Sequence, residues 1–489
     1  MADETTKPES QKSEDGKDKK RKLLGIAPIE THHETSVGGR TLKYTARAGV
    51  LPLKDEFDET QAEIFFMAYE LDGVKDRSTR PLTFAFNGGP GSSSIWLHMG
   101  AVGPKRVVME KEGWMPRPPF RYENNAQTWL DQTDLVFIDP VGTGYSRAAK
   151  EELDKKYWGY TGDIESVGEF IRLFLARYGR WTSPLFLAGE SYGATRAAGL
   201  AGYLVDHGIA FNGIILASSA LDFNAFRFGR ANDTPYVLFV PTYAATAWYH
   251  KRLSPALLAK PVAELTADVK AWAETKLLPA LMKGDRIDDV ERKSVARKLA
   301  EFTGLDAEYI LGTNLRVDIH RFCKELLRDQ RRSVGRIDSR FQGVEAVAVN
   351  ETPEFDPSMV AITPPYAAAL NQYVRMELGI ETDLVYEVMS GKINEKWQWE
   401  NGQMPATGEE VRVALAKNPY MKVLVAQGYY DLATPLFATE YMISHMNVDA
   451  KLRGNIEMAY YGSGHMFYLD VDCLAAFKAD VDRFLNASK

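Results

Sequence analysis

The sequence predicts an α/β fold: a mostly parallel central sheet flanked by helices, with a helical cap inserted into it. Three observations carry that expectation. From residue 60 onward short apolar runs recur, each closed by Gly or Pro; helical patterns lie between several of them; and a long later block keeps the helices but drops the strands. Short apolar runs bounded by breakers suit strands buried on both faces of a parallel sheet. Strand alternating with helix builds layers of the α/β kind.

Taken in order, residues 1–25 are rich in Lys, Glu, Asp and Ser with almost nothing apolar, which predicts a disordered charged tail. Its run of Lys17, Asp18, Lys19, Lys20, Arg21 and Lys22 reads as solvated charge rather than as a nuclear-import or anion-binding patch. His32 and His33 follow without a third ligand at useful spacing, so no metal site is expected. Residues 26–224 form the first part of the α/β core, with strand-like runs at 62–71, 82–86, 135–138, 185–188 and 213–217 and helical patterns at 163–178 and 195–205. Residues 225–415 are the helical cap, with its clearest helices at 288–302 and 318–330. Residues 416–489 return to the core with runs at 423–426 and 456–461.

Composition narrows the function classes. The chain has 489 residues, 59 Lys plus Arg against 66 Asp plus Glu, and a formal charge of −7. This mild acidity argues against a nucleic acid or an anionic membrane as partner. With 45% hydrophobic and 11% aromatic residues a large core is available, which excludes wholesale disorder. Cys323 and Cys473 are the only cysteines, so a disulfide scaffold is excluded and a reducing compartment fits. No apolar stretch approaches the ~18 residues of a spanning helix. The N-terminus lacks the apolar segment of an export signal, which predicts a cytoplasmic protein; a periplasmic or secreted chain whose signal had been removed would read the same. No Gly-rich phosphate cradle appears, and no cofactor is expected.

The chemistry is carried by strand ends. Gly189-Glu190-Ser191-Tyr192-Gly193 follows an apolar run and precedes a helix rich in small residues, the strand–turn–helix setting of a nucleophile elbow. Such a turn strains the serine backbone by ~1–3 kcal/mol, tolerable where it presents a hydroxyl at a strand tip. Ser146, behind an intervening turn, and Ser92, Ser93 and Ser94, where serine caps helices, read as structural. A serine nucleophile needs a base, and the base needs an acid to orient it. Asp431 closes the run at 423–426 and His465 the run from 456, giving the order Ser, Asp, His that α/β-hydrolase topology uses. His98, His207, His250, His320 and His445 have no such setting. Asn87-Gly88-Gly89-Pro90-Gly91 follows the run at 82–86; its glycines let the backbone approach a reacting carbonyl, and the N–H groups of Gly89 and Tyr192 are the natural pair for an oxyanion.

Together these blocks resemble the serine carboxypeptidase family of α/β-hydrolases. Residues 87–94 are similar to its Asn-Gly-Gly-Pro-Gly-Cys-Ser-Ser block, residues 139–146 to its Pro-Val-Gly-x-Gly-Phe-Ser turn, residues 189–193 to its Gly-Glu-Ser-Tyr elbow, and residues 464–466 to its Gly-His-Met segment. Asn125 and Trp129 fall where the family has an Asn and a Trp ahead of the middle strand. The likeness covers about residues 40–485 and is weakest in the helical insertion. It implies Ser191 as nucleophile, His465 as base and Asp431 as the partner of that base, with oxyanion donors at Gly89 and Tyr192. It also implies that Asn87 and Glu190 hold the free C-terminal carboxylate of a peptide. Two carboxyl groups share a hydrogen bond only when one is protonated, so this binding would be favoured at acidic pH.

Three departures stand out. Ala85 replaces the family's Trp, Ala101 replaces its Glu in a Glu-x-Gly-Pro segment, and Ser92 replaces its Cys. The expectation is a serine carboxypeptidase acting on a peptide or small acyl substrate. An esterase, amidase or acyltransferase on the same fold is the alternative, and a catalytically silent binding protein the third reading.

Overall fold

The computed structural model describes residues 21–399 and 405–488, so the first 20 residues of the expected tail lie outside the described residues. Arg21 is already tied to the core: its N–H donates to Ala149 O at 2.9 Å and its guanidinium to Asp154 at 2.6 Å. The Gly25 N–H donates to Glu63 at 3.0 Å.

A ten-stranded sheet organises the molecule. Its strands are β1 (Ile29–Val37), β2 (Arg40–Lys54), β3 (Thr60–Leu71), β4 (Leu82–Phe86), β5 (Asp134–Ile138), β6 (Leu185–Glu190), β7 (Gly213–Ala217), β8 (Lys422–Gly428) and β9 (Ile456–Tyr461), with the two-residue strand Arg147–Ala148 beside β3. Across the sheet they lie in the order β1-β2-β3-β5-β4-β6-β7-β8-β9. From β5 to β9 every pairing is parallel. The β1, β2 and β3 strands form an antiparallel meander that joins β5 antiparallel. The run at 62–71 is therefore a strand of the antiparallel side, although it is as fully buried as its parallel neighbours.

Alternation along the strands sends side chains to two cores. Phe84, Leu187, Ile214 and Val425 face α1 (Tyr160–Arg177) and α2 (Tyr192–Val205). Ala85, Phe186, Ile215 and Leu424 face the opposite side, where Tyr366 and Phe477 belong to two further helices. Each fully buried large apolar side chain contributes roughly 1.5–3 kcal/mol, so a sheet covered on both faces is the main source of stability.

Residues 225–399 supply a series of helices and one two-stranded hairpin, Arg332–Val334 with Gln342–Val344. The helical pattern at 288–302 is α3 (Asp289–Thr303), started by the Asp288 side chain accepting the Glu291 N–H at 2.9 Å. The pattern at 318–330 stops earlier: the α-helix spans Ile319–Glu325, and Arg331 then takes a left-handed φ of 55° that turns the chain into the hairpin. Pro357–Met376 is α4, and Val471–Ala487 is α5; these are the helices that carry Tyr366 and Phe477. The helix Gly408–Lys417 lies against α2, back on the sheet side.

Candidate active site

The carboxyl ends of the parallel strands lie on one edge of the sheet, and strand order reverses at β4, which sits between β5 and β6. Open α/β sheets bind ligands at such a reversal. Ser191 stands at the end of β6, the Asn87 turn at the end of β4, Asp431 beyond β8 and His465 beyond β9.

Ser191 has φ 61° and ψ −126°, a strained conformation for a residue with a Cβ. Its own N–H is held by Ala217 O at 3.0 Å. The flanking glycines permit the turn by close approach: a Cβ on Gly193 would lie 2.7 Å from Phe86 O, and one on Gly189 would overlap Gly193 O.

His465 is fixed from both sides. Its N–H donates to Ile337 O at 2.7 Å and its carbonyl accepts the Ser218 hydroxyl at 2.6 Å. Its ring Nδ1 lies 2.8 Å from Asp431 Oδ2, which leaves Nε2 for a reacting hydroxyl. Asp431 is fully buried and accepts the N–H groups of Ala433 and Thr434 on Oδ1, at 2.8 and 2.9 Å. On Oδ2 it also accepts the Thr434 hydroxyl at 2.6 Å and the Gln427 amide at 3.2 Å. Burial disfavours the imidazolium, but the carboxylates of Asp431 and Glu190 outweigh it, so the His465 pKa sits above its ordinary value; Arg336 pulls the other way.

Ser191 and His465 line one cleft of about 310 Å³, together with Asn87, Gly89 and Glu190. The N–H groups of Gly89 and Tyr192 donate to no described residue, and Tyr192 opens α2, where helix N–H groups have no partner inside the helix. The Asn87 turn is held in place by Arg196 of α2, which donates to Asn87 O at 2.6 Å and pairs with buried Asp163 at 2.8 Å. Asn87 Oδ1 accepts the Leu97 N–H at 2.9 Å, whereas the buried Asn87 Nδ2 and Tyr468 Oη lie beside the buried Glu190 carboxyl, close enough to steady its charge but without a close hydrogen bond among the described residues. Burial pushes the Glu190 carboxyl up to about 7, against the pull of His465.

All seven sequence-predicted residues thus fall at this edge: six line or border the cleft and Asp431 lies behind His465. The decoy serines are engaged elsewhere. Ser146 donates to Asp139 O at 2.6 Å and accepts the Phe65 N–H at 2.7 Å. Ser94 starts a short helix, but its hydroxyl donates to Ile138 O instead of capping. His98 is buried, bonded to Tyr69 Oη at 2.7 Å, and burial takes its pKa down to about 3. Cys323 and Cys473 are free thiols.

Sequence reasoning missed Thr434 and Gln427, which complete the Asp431 hydrogen bonds, although a Thr three residues after a loop Asp is a recognisable turn signal. It also missed Arg336, Ile337, Met359 and Met389, which line the cleft from the inserted segment and have no local signature.

A doubly covered parallel sheet with a serine elbow, an acid and a histidine at its carboxyl edge defines an α/β-hydrolase with the residues of serine chemistry. The chain belongs to the serine carboxypeptidase family, whose profile matches residues 40–461. It is 31% identical over 173 residues to the pheromone-processing carboxypeptidase KEX1 of Saccharomyces cerevisiae, covering 33% of this chain and 22% of that relative. It is 32% identical over 159 residues to the same-named protein of Komagataella phaffii, covering 31% of this chain and 22% of the relative. The matches thus span about a fifth of the length of these relatives. The crystal structure of the yeast prohormone-processing carboxypeptidase Kex1Δp superposes with a TM-score of 0.55 at 17% identity, covering 90% of this chain and 91% of that one, a likeness of fold.

Proposed function

We propose that the chain is a serine carboxypeptidase that releases C-terminal residues from peptides. Ser191 Oγ attacks the carbonyl of the last peptide bond while His465 Nε2 takes its proton, and Asp431 stabilises the imidazolium. The tetrahedral oxyanion rests on the N–H groups of Gly89 and Tyr192, each such donor being worth ~3–4 kcal/mol in the transition state. His465 returns the proton to the departing amine, and water then attacks the acyl-enzyme by the same route in reverse.

The observation that carries the exopeptidase reading is the buried amide of Asn87 next to the high-pKa carboxyl of Glu190, both beside Ser191 in one cleft. A donor and a protonated acid there suit a terminal carboxylate. The names of the relatives, which describe pheromone and prohormone processing, support a peptide as substrate. A second reading, an esterase, amidase or acyltransferase, rests on the departures at Ala85 and Ala101, which weaken the carboxylate recognition that the family resemblance implies.

The deciding experiment compares a blocked dipeptide with its C-terminal amide. Cleavage of the free acid, with the amide at least tenfold slower, is expected; equal rates would favour the second reading. Ser191→Ala should abolish turnover and leave Tm within a few degrees, because the Ser191 hydroxyl makes no hydrogen bond with a described residue.

A further inference from the structure

We propose that Arg336 is a carboxylate-recognition residue of this cleft, pairing with an acidic group of the substrate. The proposal deepens the carboxypeptidase reading and rests on it for the nature of the substrate. It stands on where Arg336 is held and on what its guanidinium leaves unpaired.

The Arg336 backbone is strapped between the two loops that carry Asp431 and His465. Its carbonyl accepts the Leu432 N–H at 3.1 Å, and the carbonyl of the next residue, Ile337, accepts the His465 N–H at 2.7 Å. The side chain lines the cleft of about 310 Å³ with Ser191 and His465. It also lines an adjoining cavity of about 590 Å³ walled by Phe226, Phe228 and Phe239, so the two spaces meet at this arginine.

Arginines near carboxylates normally pair with them, yet the Arg336 guanidinium makes no ion pair or side-chain hydrogen bond with a described residue. The acids around it are spoken for. Asp318 caps the helix Ile319–Glu325 through the His320 and Arg321 N–H groups, at 3.0 and 3.1 Å. Glu351 faces Arg321 at 3.4 Å, and Asp356 accepts the N–H groups of Ser358 and Ile337 at 3.0 and 3.4 Å. What remains is an exposed guanidinium on an anchored backbone, at the mouth of a cleft whose one acidic lining residue is Glu190. Its fork of donors matches a carboxylate in geometry as well as charge.

The carboxylate can come from an acidic side chain next to the scissile bond or from the peptide terminus, and matched substrates separate the two. Blocked esters carrying Glu or Gln on the acyl side test the side chain without any terminal carboxylate. Blocked dipeptide acids and their amides test the terminus. Arg336→Gln should raise KM for the carboxylate member of one pair about tenfold or more, the usual size of a charge-assisted contact, and leave its neutral partner within twofold. Arg336→Lys should recover part of the loss. Loss on the Glu ester alone assigns the side chain, and loss on the free acid alone assigns the terminus. An unchanged KM for every substrate, or an equal rise within each pair, overturns the proposal. Because the ester pair needs no exopeptidase activity, failure of the carboxypeptidase reading shows up separately, as amides cleaved like free acids.

Discussion

Gly88 has no side chain to offer chemistry, and that is its contribution. A Cβ there would overlap the Tyr192 N–H and lie 2.6 Å from Gly193 N, so only glycine lets the turn after β4 lie against the start of α2. Gly88→Ala should therefore separate the two oxyanion donors and lower kcat/KM about 10²- to 10³-fold. A fluorophosphonate probe should label Ser191 proportionately more slowly, and wild-type labelling would refute the arrangement. Thr434 works one step further back. Its hydroxyl donates to Asp431 at 2.6 Å and lies 3.1 Å from His465 Nδ1, drawing part of the carboxylate's charge away from the imidazole. Thr434→Val keeps the shape and removes that donor. The imidazolium then faces the undivided carboxylate, so the acid limb of kcat/KM should move to higher pH, while loss of a buried hydrogen bond costs about 1–3 kcal/mol. An acid limb that stays put would mean the hydroxyl only packs.

At the scale of elements, the hairpin of the inserted segment is bolted to the loop that carries His465. Asp338, between its two strands, accepts the Gly464 N–H at 3.1 Å and pairs with Arg340 at 2.7 Å, and Arg340 donates to the Ser463 hydroxyl at 2.6 Å. Both members of the pair are almost fully buried, at 2% and 3% exposure, so neither tolerates losing the other. Arg340→Met should cost about 3–5 kcal/mol by stranding a buried carboxylate. It should also lower kcat more than it raises KM, because the His465 loop loses its anchor. Asp338→Asn added to Arg340→Met should restore much of the Tm; if the double variant is no more stable than the single, the charge is not what holds the strap. None of this was legible in the sequence, where Asp338 and Arg340 are an ordinary polar pair within a helical block. The antiparallel β1 and β2 also escaped notice. β1 alternates half-buried and exposed residues and carries His and Glu, so it lacks the continuous apolar run that marks the central strands. The runs at 82–86, 213–217 and 456–461, by contrast, coincide with strands, because burial on both faces or a closing Gly or Pro leaves a local trace.

For the whole molecule, the sheet does what sequence proximity cannot: it gathers Asn87, Ser191, Asp431 and His465 from four strand ends to one edge. Their order and strand-end settings were legible, and so was the family; the roof of the cleft was not, because its residues meet the site only through tertiary packing. The same enclosure sets the pH behaviour, since it buries two titrating groups beside one another. His465 must be neutral to accept a proton, so activity should climb with pH through its raised pKa. Glu190, pushed up to about 7, can share a proton with a substrate carboxylate only while it still holds one, so KM for free-acid substrates should climb about tenfold per pH unit above that value. Free acids should then give a narrow bell, and amides or esters the acid limb and a plateau. Glu190→Gln separates the two effects. Its amide donates at every pH, so the alkaline limb for free acids should vanish. Removing the Glu190 charge also withdraws support from the imidazolium, so the acid limb should shift to lower pH. A base limb that survives in the Gln variant, or that amides share with free acids in the wild type, would place its origin outside Glu190 and take the carboxylate clamp with it.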